Sequence, residues 1–230
     1  MKYITNSELF DLTGTIAAAV FDGTETPWEV LPRLHDFICA LGATLDPAVF
    51  DHPAPDVWIA KSATVAPSAS ISGPCIIDEG AEIRHCAFIR GSAVVGKGAV
   101  VGNSVELKNA LLFDRVQVPH FNYVGDSILG VRAHMGAGSI TSNVKSDKSL
   151  VVIHGADGNF PTGRKKVGAM LGDGAEIGCN SVLNPGTVIG RGAQVYPTSC
   201  VRGVVPENHI YKDTQHILPR RDNEPKGGMK

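Results

Sequence analysis

Two basic side chains are spaced so that they could hold one anion between them. Arg90 and Lys108 each follow directly after an aliphatic residue and lie 18 residues apart. The chain repeats with a period of six residues, so 18 residues make one coil of a three-walled solenoid, and both side chains stack on one outer wall about 5 Å apart. Two cations at that distance repel each other unless they share an anion such as a phosphate. Two solvated surface cations are the alternative interpretation.

A histidine and a tyrosine lie close to this cation pair, where the six-residue pattern breaks. His120 and Tyr123 both fall within the irregular stretch 118–126. Histidine is the side chain that most often serves as a general base, and a neighbouring anion site would supply it with a substrate. A purely structural histidine in a turn is the alternative. We predict that His120 is the general base and that Tyr123 belongs to the same site.

The elements that must position these residues follow from the repeat itself. Aliphatic residues occupy every sixth position in two runs, with a mostly small residue two positions before each of them. The aliphatic positions are Ile59, Val65, Ile71, Ile77, Ile83, Ile89, Val95, Val101 and Leu107, with Phe113 next, and then Leu171, Ile177, Leu183, Ile189, Val195 and Val201. A period of six fits neither a helix nor a freely alternating strand, but it fits a short strand plus a tight turn. The sequence therefore predicts an all-β solenoid, a parallel β-helix.

The residues outside the repeat divide the chain further. We predict a helical N-terminal cap and linker over residues 1–56, the β-helix over 57–205 and a C-terminal tail over 206–230. In the cap, one helix is predicted over Ser7–Phe21. A second helix follows the capping-box spacing of Thr26 and Glu29 and ends at Gly42. Such a cap is expected to cover the open end of the prism.

Composition excludes several classes of protein. The formal net charge of −2 is too close to neutral for a general nucleic-acid binder. No apolar run reaches the length of a membrane span, and the N-terminus lacks the features of a signal peptide, so we expect no membrane partner and a cytoplasmic location. The five cysteines form no CxxC pair, which argues against a disulfide scaffold and against structural zinc.

Three motifs carry a resemblance to a known family. They are Val101-Gly102-Asn103-Ser104-Val105-Glu106-Leu107-Lys108, His120-x-x-Tyr123-x-Gly125-Asp126 and Gly136-Ala137-Gly138-Ser139-Ile140-Thr141-x-Asn143. Together they resemble the C-terminal acetyltransferase domain of the bifunctional bacterial UDP-N-acetylglucosamine pyrophosphorylase (glucosamine-1-phosphate N-acetyltransferase). The resemblance covers roughly residues 57–205 and implies a left-handed β-helix, a homotrimer with active sites between subunits, and acetyl-CoA as co-substrate.

The resemblance also implies roles for individual residues. Arg90, Lys108 and Tyr123 match the residues that hold the sugar phosphate, and His120 matches the proposed base. Asn143 matches an asparagine associated with the acceptor amine and the acetyl group. Backbone N–H groups near Ala137 or Cys179 are expected to stabilise the oxyanion. No metal is required for this chemistry.

The sequence departs from the family at three places. His134 stands where the family has asparagine, and Val144 where it has tyrosine; both positions lie near the sugar in the family, so the acceptor is expected to differ. A basic loop over residues 145–166 replaces a short one. This loop, through residues such as Arg164 and Lys165, either covers the phosphates of acyl-CoA or is a solvated excursion.

Residues 1–56 contain no glycine-rich phosphate loop in a βαβ unit, so we expect no nucleotidyltransferase activity from this chain.

The leading hypothesis is an N-acetyltransferase that acts on an amino-sugar 1-phosphate. Two alternatives remain open. One is a zinc lyase or hydrolase that uses His85, His120 and His134, and the other is a non-catalytic trimer that binds a sugar phosphate or sugar nucleotide.

Overall fold

The structure, a computed structural model, describes residues 3–220. The helices are α1 (Asn6–Leu9) and α2 (Leu34–Gly42), with 3₁₀ turns at Ala18–Phe21 and Pro27–Glu29. The strands are β1 (Phe50–Ala54), β2 (Val57–Ala60), β3 (Thr64–Val65), β4 (Ser70–Ile71), β5 (Cys75–Ile77), β6 (Glu82–Ile83), β7 (Phe88–Ile89), β8 (Ala93–Val95), β9 (Val100–Asn103), β10 (Glu106–Leu112), β11 (Gln117–His120), β12 (Tyr123–Leu129), β13 (His134–Met135), β14 (Ile140–Thr141), β15 (Val152–Gly155), β16 (Gly158–Pro161), β17 (Ala169–Leu171), β18 (Glu176–Ile177), β19 (Val182–Leu183), β20 (Thr187–Ile189), β21 (Gln194–Val195), β22 (Cys200–Val201), β23 (Val204–Val205), β24 (His209–Asp213) and β25 (His216–Pro219).

Parallel ladders join most of these strands into three walls. Wall A contains β2, β5, β8, the second halves of β10 and β12, β17, β20 and β23. Wall B contains β3, β6, β9, β11, β13, β18, β21 and β24. Wall C contains β4, β7, the first halves of β10 and β12, β14, β19 and β22. The predicted fold class, a left-handed parallel β-helix of hexapeptide repeats, is confirmed.

The core consists of the predicted aliphatic ladders. On wall A, Ile77 pairs with Val95. The inward side chains of this ladder, from Ile77 to Ile189, are fully buried. Small residues form a parallel ladder beside them, for example Ala93 opposite Ala110. The small side chains leave room at the corners, where the chain turns from one wall to the next.

Two corners between walls C and A are one residue shorter than the repeat predicts. Val95 pairs with Leu112 and Leu112 with Leu129, so the coil length falls from 18 to 17 residues there. The predicted aliphatic position at Phe113 is therefore wrong, because Leu112 takes it. Strands β10 and β12 run continuously through the shortened corners, which contain Asn109 and Asp126 in the left-handed backbone region, with φ of +51° and +47°.

The N-terminal segment, residues 3–49, packs along wall A. Helix α2 contacts β5, β8 and β10, and the Phe10 and Phe21 rings both contact the Phe113 ring. The expectation that the helices cover the open end of the prism is wrong. The outward residues of wall A are themselves aliphatic and form a continuous apolar face, and α2 packs against this face on β5, β8 and β10. These outward residues are Ile76, Val94, Leu111, Ile128, Met170 and Val188.

The predicted helices of this segment are only partly correct. The stretch Ser7–Phe21 contains α1 and a separate 3₁₀ turn instead of one helix. The capping box of Thr26 and Glu29 is present, but it caps a 3₁₀ turn, and α2 begins afterwards. Helix α2 ends at Gly42 as predicted, where a Cβ would lie 2.3 Å from the Trp58 ring. No helix among residues 3–220 is long and apolar enough to cross a bilayer.

Antiparallel strands cover both ends of the ladders. Strand β1 lies in the predicted linker and pairs with β2, and β25 pairs with β24. The residues predicted as a tail thus continue the solenoid as far as the structure describes them, because Tyr211 pairs with Val195 on wall B. The hexad count missed this rung because a tyrosine replaces the aliphatic residue. Residues 221–230 lie outside the described part of the chain.

Candidate functional site

The shortened corners place polar side chains at the junction of walls C and A. Lys108 and Asn109 form one corner, and Gly125 and Asp126 form the corner of the next coil. This junction, with the adjoining face of wall C, is the candidate site.

Asp126 is the centre of a hydrogen-bond network in this corner. Its side chain is only 2% exposed and accepts hydrogen bonds from Lys108 Nζ at 3.0 Å, Asn109 Nδ2 at 2.9 Å and Asn143 Nδ2 at 2.5 Å. A buried carboxylate with three donors fixes the orientation of each donor. Asp126 and Asn109 were not predicted as site residues, although Asp126 lies in the second sequence motif.

Tyr123 joins the network through Asn143, whose Nδ2 donates to Tyr123 Oη at 3.2 Å. Burial, followed by the negative charges of Asp126 and Glu106, raises the pKa of Tyr123. The phenol is thereby held in its protonated form and has its O–H available to donate to an acceptor. The predicted site residues Lys108, Tyr123 and Asn143 are thus brought together.

Arg90 lies on the same wall as Lys108, as the 18-residue spacing predicts, because the Arg90 N–H donates to the Leu107 carbonyl. The two cations do not require a shared anion, however. Arg90 Nη1 lies 2.6 Å from Glu106 Oε1, and Lys108 pairs with Asp126. Each cation therefore has its own carboxylate, a partner that spacing alone did not indicate.

His120 lies at the other edge of wall C, at its corner with wall B. It ends β11, its side chain is exposed, and its carbonyl accepts the N–H of Gly138 from the next coil. Ala137 and Cys179 stack at the same corner in the following coils, because the Ala137 carbonyl accepts the N–H of Asn180. Among the hydrogen bonds of residues 3–220, neither the Ala137 N–H nor the Cys179 N–H is a donor, so both are available to a ligand.

His134 lies apart from the polar network. It begins β13 on wall B, and its Nδ1 lies 2.8 Å from Glu176 Oε2. The cavity beside it is lined by Arg115, Gln117 and Arg132. Within one chain, the structure therefore does not place His134 with Lys108 and Tyr123.

The basic loop is folded onto the solenoid and is not a solvated excursion. It contains the antiparallel hairpin β15–β16, and Val151 and Ile153 are fully buried. The loop returns beside the network, where the Val167 N–H donates to the Asn143 carbonyl and the Gly168 N–H to that of Asp126. This return positions the basic residues at the end of the loop next to the candidate site.

These basic residues line a cavity of about 500 Å³, which we call the basic cavity. Its lining includes Arg164, Lys165 and Lys166 from the loop, Lys108 and Asp126 from the corner, and His35 from the N-terminal segment. The four residues predicted to bind the cofactor are thus divided between two corners. Ala137 and Cys179 lie at the corner of walls B and C, and Arg164 and Lys165 lie at the corner of walls C and A.

Gly168 allows the loop to return so closely. A Cβ at this position would lie 2.1 Å from the Gly125 carbonyl oxygen and 2.1 Å from Ser127 Oγ. We expect Gly168→Ala to displace the loop end and to lower the free energy of unfolding by about 1–3 kcal/mol. Chemical denaturation measures the change. Gly14→Ala is the control, because its Cβ would have 3.8 Å to the nearest side chain. Equal stability of both variants would contradict the tight contact.

Within residues 3–220, no group of three or more His, Cys, Asp or Glu side chains is arranged to hold a metal ion. His85, one of the three histidines considered as ligands, is an exposed residue of the turn after β6.

Comparisons with known proteins agree with the sequence motifs. Residues 71–158 match the family described as "GMPPB C-terminal domain". A "Bifunctional protein GlmU" of Nitratidesulfovibrio vulgaris is 34% identical over 192 residues, which are 83% of this chain and 34% of that protein. A "Bifunctional sugar-1-phosphate nucleotidylyltransferase/acetyltransferase" of Sulfurisphaera tokodaii is 32% identical over 47% of this chain and 27% of its own length. The predicted resemblance is confirmed, and the chain spans about a quarter to a third of these relatives' length.

Among solved structures, a hexapeptide transferase family protein from Anaplasma phagocytophilum is similar, with a TM-score of 0.41 and 17% identity. The likeness covers 73% of this chain and 80% of that one.

Proposed function

We propose that this chain is an acyl-CoA-dependent N-acetyltransferase that acts on a phosphorylated amino sugar. The observation that carries the proposal is the network around Asp126. It holds a cation, an amide and a phenol at one edge of wall C, and the candidate base His120 lies at the other edge.

Binding of the acceptor rests on the corner of walls C and A. Lys108 retains N–H groups beyond those used by Asp126, and the Tyr123 O–H is free to donate, so both can bind a phosphate. Arg90 would exchange Glu106 for the phosphate, since its ion pair is nearly half exposed and weakly held. Asn143 donates to Asp126 and Tyr123 through its Nδ2, which leaves its Oδ1 to accept a hydrogen bond from the acceptor amine.

Acetyl-CoA supplies the thioester, whose carbonyl carbon is attacked by the amine with departure of the CoA thiolate. His120 accepts the proton that the amine loses and returns it to the thiolate. The unpaired N–H groups of Ala137 and Cys179 stabilise the negative charge that develops on the carbonyl oxygen. No covalent enzyme intermediate is needed, so Cys179 contributes its backbone and not its thiol.

We also propose a homotrimer with sites between copies. Phe88 and Phe121, on wall C and its corner, are 42% and 62% exposed, which favours a covered face in the assembly. His134, isolated on wall B, would act in the site of a neighbouring copy. Light scattering on the purified protein tests the stoichiometry.

The activity is tested by incubating the protein with acetyl-CoA and either glucosamine 1-phosphate or glucosamine. Cys86, Cys179 and Cys200 are exposed and would consume a thiol reagent, so the N-acetylated product is measured by mass spectrometry. We expect kcat/KM to be about 100-fold higher for the phosphorylated sugar, since charged hydrogen bonds to the phosphate contribute a few kcal/mol.

Lys108→Ala should remove most of this preference, because kcat/KM with the phosphorylated sugar falls towards the value with glucosamine. Lys212→Ala is the matched control, because Lys212 is exposed and lies over the Tyr196 ring, away from the site. Equal rates with both sugars would overturn the phosphate site. Thermal stabilisation by the sugar phosphate without any transfer would indicate a non-catalytic binding protein.

A further inference from the structure

The basic cavity contains more positive charge than the residue to which we assign the acceptor phosphate. Lys108 lines it together with Arg164, Lys165 and Lys166 of the loop. Asp126 is the only carboxylate among its lining residues within the described chain, and Lys108 already pairs with it. The cavity therefore has an excess of positive charge that the protein does not neutralise.

Arg164 shows that this charge lacks a partner in the protein. Its Nε is buried and has no hydrogen-bond acceptor among residues 3–220. A buried donor without a partner costs about 1–3 kcal/mol, so the protein leaves this side chain incompletely satisfied. The backbone of Arg164 is fixed, because its carbonyl accepts the N–H of Val151, which is fully buried. Among the lining residues of the described chain the one carboxylate, Asp126, pairs with Lys108, so the Arg164 guanidinium has no carboxylate partner in the cavity.

A ligand that ends at one phosphate would use Lys108 and leave the loop cations unused. Two linked phosphates would extend from Lys108 towards Arg164. The N-terminal segment also lines the cavity, where Leu31, Pro32 and His35 offer an apolar and aromatic surface in addition to the charged residues. Its volume of about 500 Å³ is within the range of small-molecule sites.

We propose that the basic cavity binds a diphosphate, and that the acceptor is an amino sugar linked to a nucleoside diphosphate. The first phosphate lies at Lys108 and the second at Arg164 and Lys165, and the nucleoside contacts the N-terminal segment. This assignment rests on the proposed function, and it moves Arg164 and Lys165 from the predicted cofactor set to the acceptor site.

Binding is tested without catalysis by calorimetric titration with inorganic pyrophosphate and with inorganic phosphate. Pyrophosphate is expected to bind at least 10-fold more tightly, and Arg164→Ala should remove that difference. Lys148→Ala is the matched control, because Lys148 lies on the same loop and does not line the cavity. Equal affinity for the two anions, or equal loss in both variants, would overturn the proposal.

Kinetics then distinguish the two sources of a diphosphate, since acetyl-CoA also contains one. With glucosamine linked to uridine diphosphate, Arg164→Ala should lower kcat/KM at least 10-fold and leave the KM for acetyl-CoA unchanged, whereas Lys148→Ala should change neither constant. A higher KM for acetyl-CoA alone would assign the cavity to the co-substrate and overturn the acceptor class. Arg164-dependent pyrophosphate binding without any acetyl transfer would support the cavity and refute the proposed function.

Discussion

Replacement of His120 with alanine is expected to lower kcat for acetyl transfer by about 100- to 10,000-fold, the usual contribution of a general base. The His120 side chain is exposed at the corner of walls B and C and has no hydrogen bond to other described residues. Its removal should therefore leave the fold unchanged, and the KM for the acceptor should change little. Steady-state kinetics with product detection by mass spectrometry measure both constants.

The kinetic constants separate a base from a binding residue, because loss of a base lowers kcat and leaves the KM for the acceptor unchanged. His85→Ala is the matched control, because His85 is exposed two coils earlier at the same corner. Full activity of His120→Ala, or an equal loss of kcat in both variants, would refute the role of His120.

The second large effect is expected for Asp126→Ala, which should lower the free energy of unfolding by about 2–4 kcal/mol. Three donors, on Lys108, Asn109 and Asn143, lose their acceptor at once. Water compensates only in part, because the Lys108 side chain is 30% exposed. Chemical denaturation measures the loss, and the KM for the acceptor should rise as Lys108 and Asn143 lose their fixed orientations.

Glu106→Ala is the matched control for stability. Its ion pair with Arg90 is more exposed than that of Asp126, so its removal should cost no more than about 1 kcal/mol. Asp126→Asn should recover part of the stability, since one oxygen still accepts hydrogen bonds. If Asp126→Ala costs no more than Glu106→Ala, Asp126 does not organise the site.

Much of the fold follows from the residues alone. Aliphatic side chains at every sixth position, with a small residue two positions before, specify strand, turn and inward face locally, whatever the distant contacts are. The stacking of Arg90 and Lys108 follows in the same way, because one coil separates them. The sequence carries a further signal for the covered wall: every third hexad has an apolar residue on its outer face too, as in Ala93-Val94-Val95 of wall A.

The partners of the site residues are decided by the folded chain. A corner shortened by one residue interrupts the six-residue period in the sequence. In the fold it keeps the ladders in register and places Asp126 within hydrogen-bond distance of Lys108 and Asn143. The return of the basic loop depends on a close approach of Gly168 to the preceding coil, and the N-terminal segment reaches the basic cavity only because it lies along wall A. Periodicity identifies which residues face inward. Which donors meet which acceptors depends on distances of about 3 Å between residues far apart in sequence, and a shift of one residue at a single corner changes them.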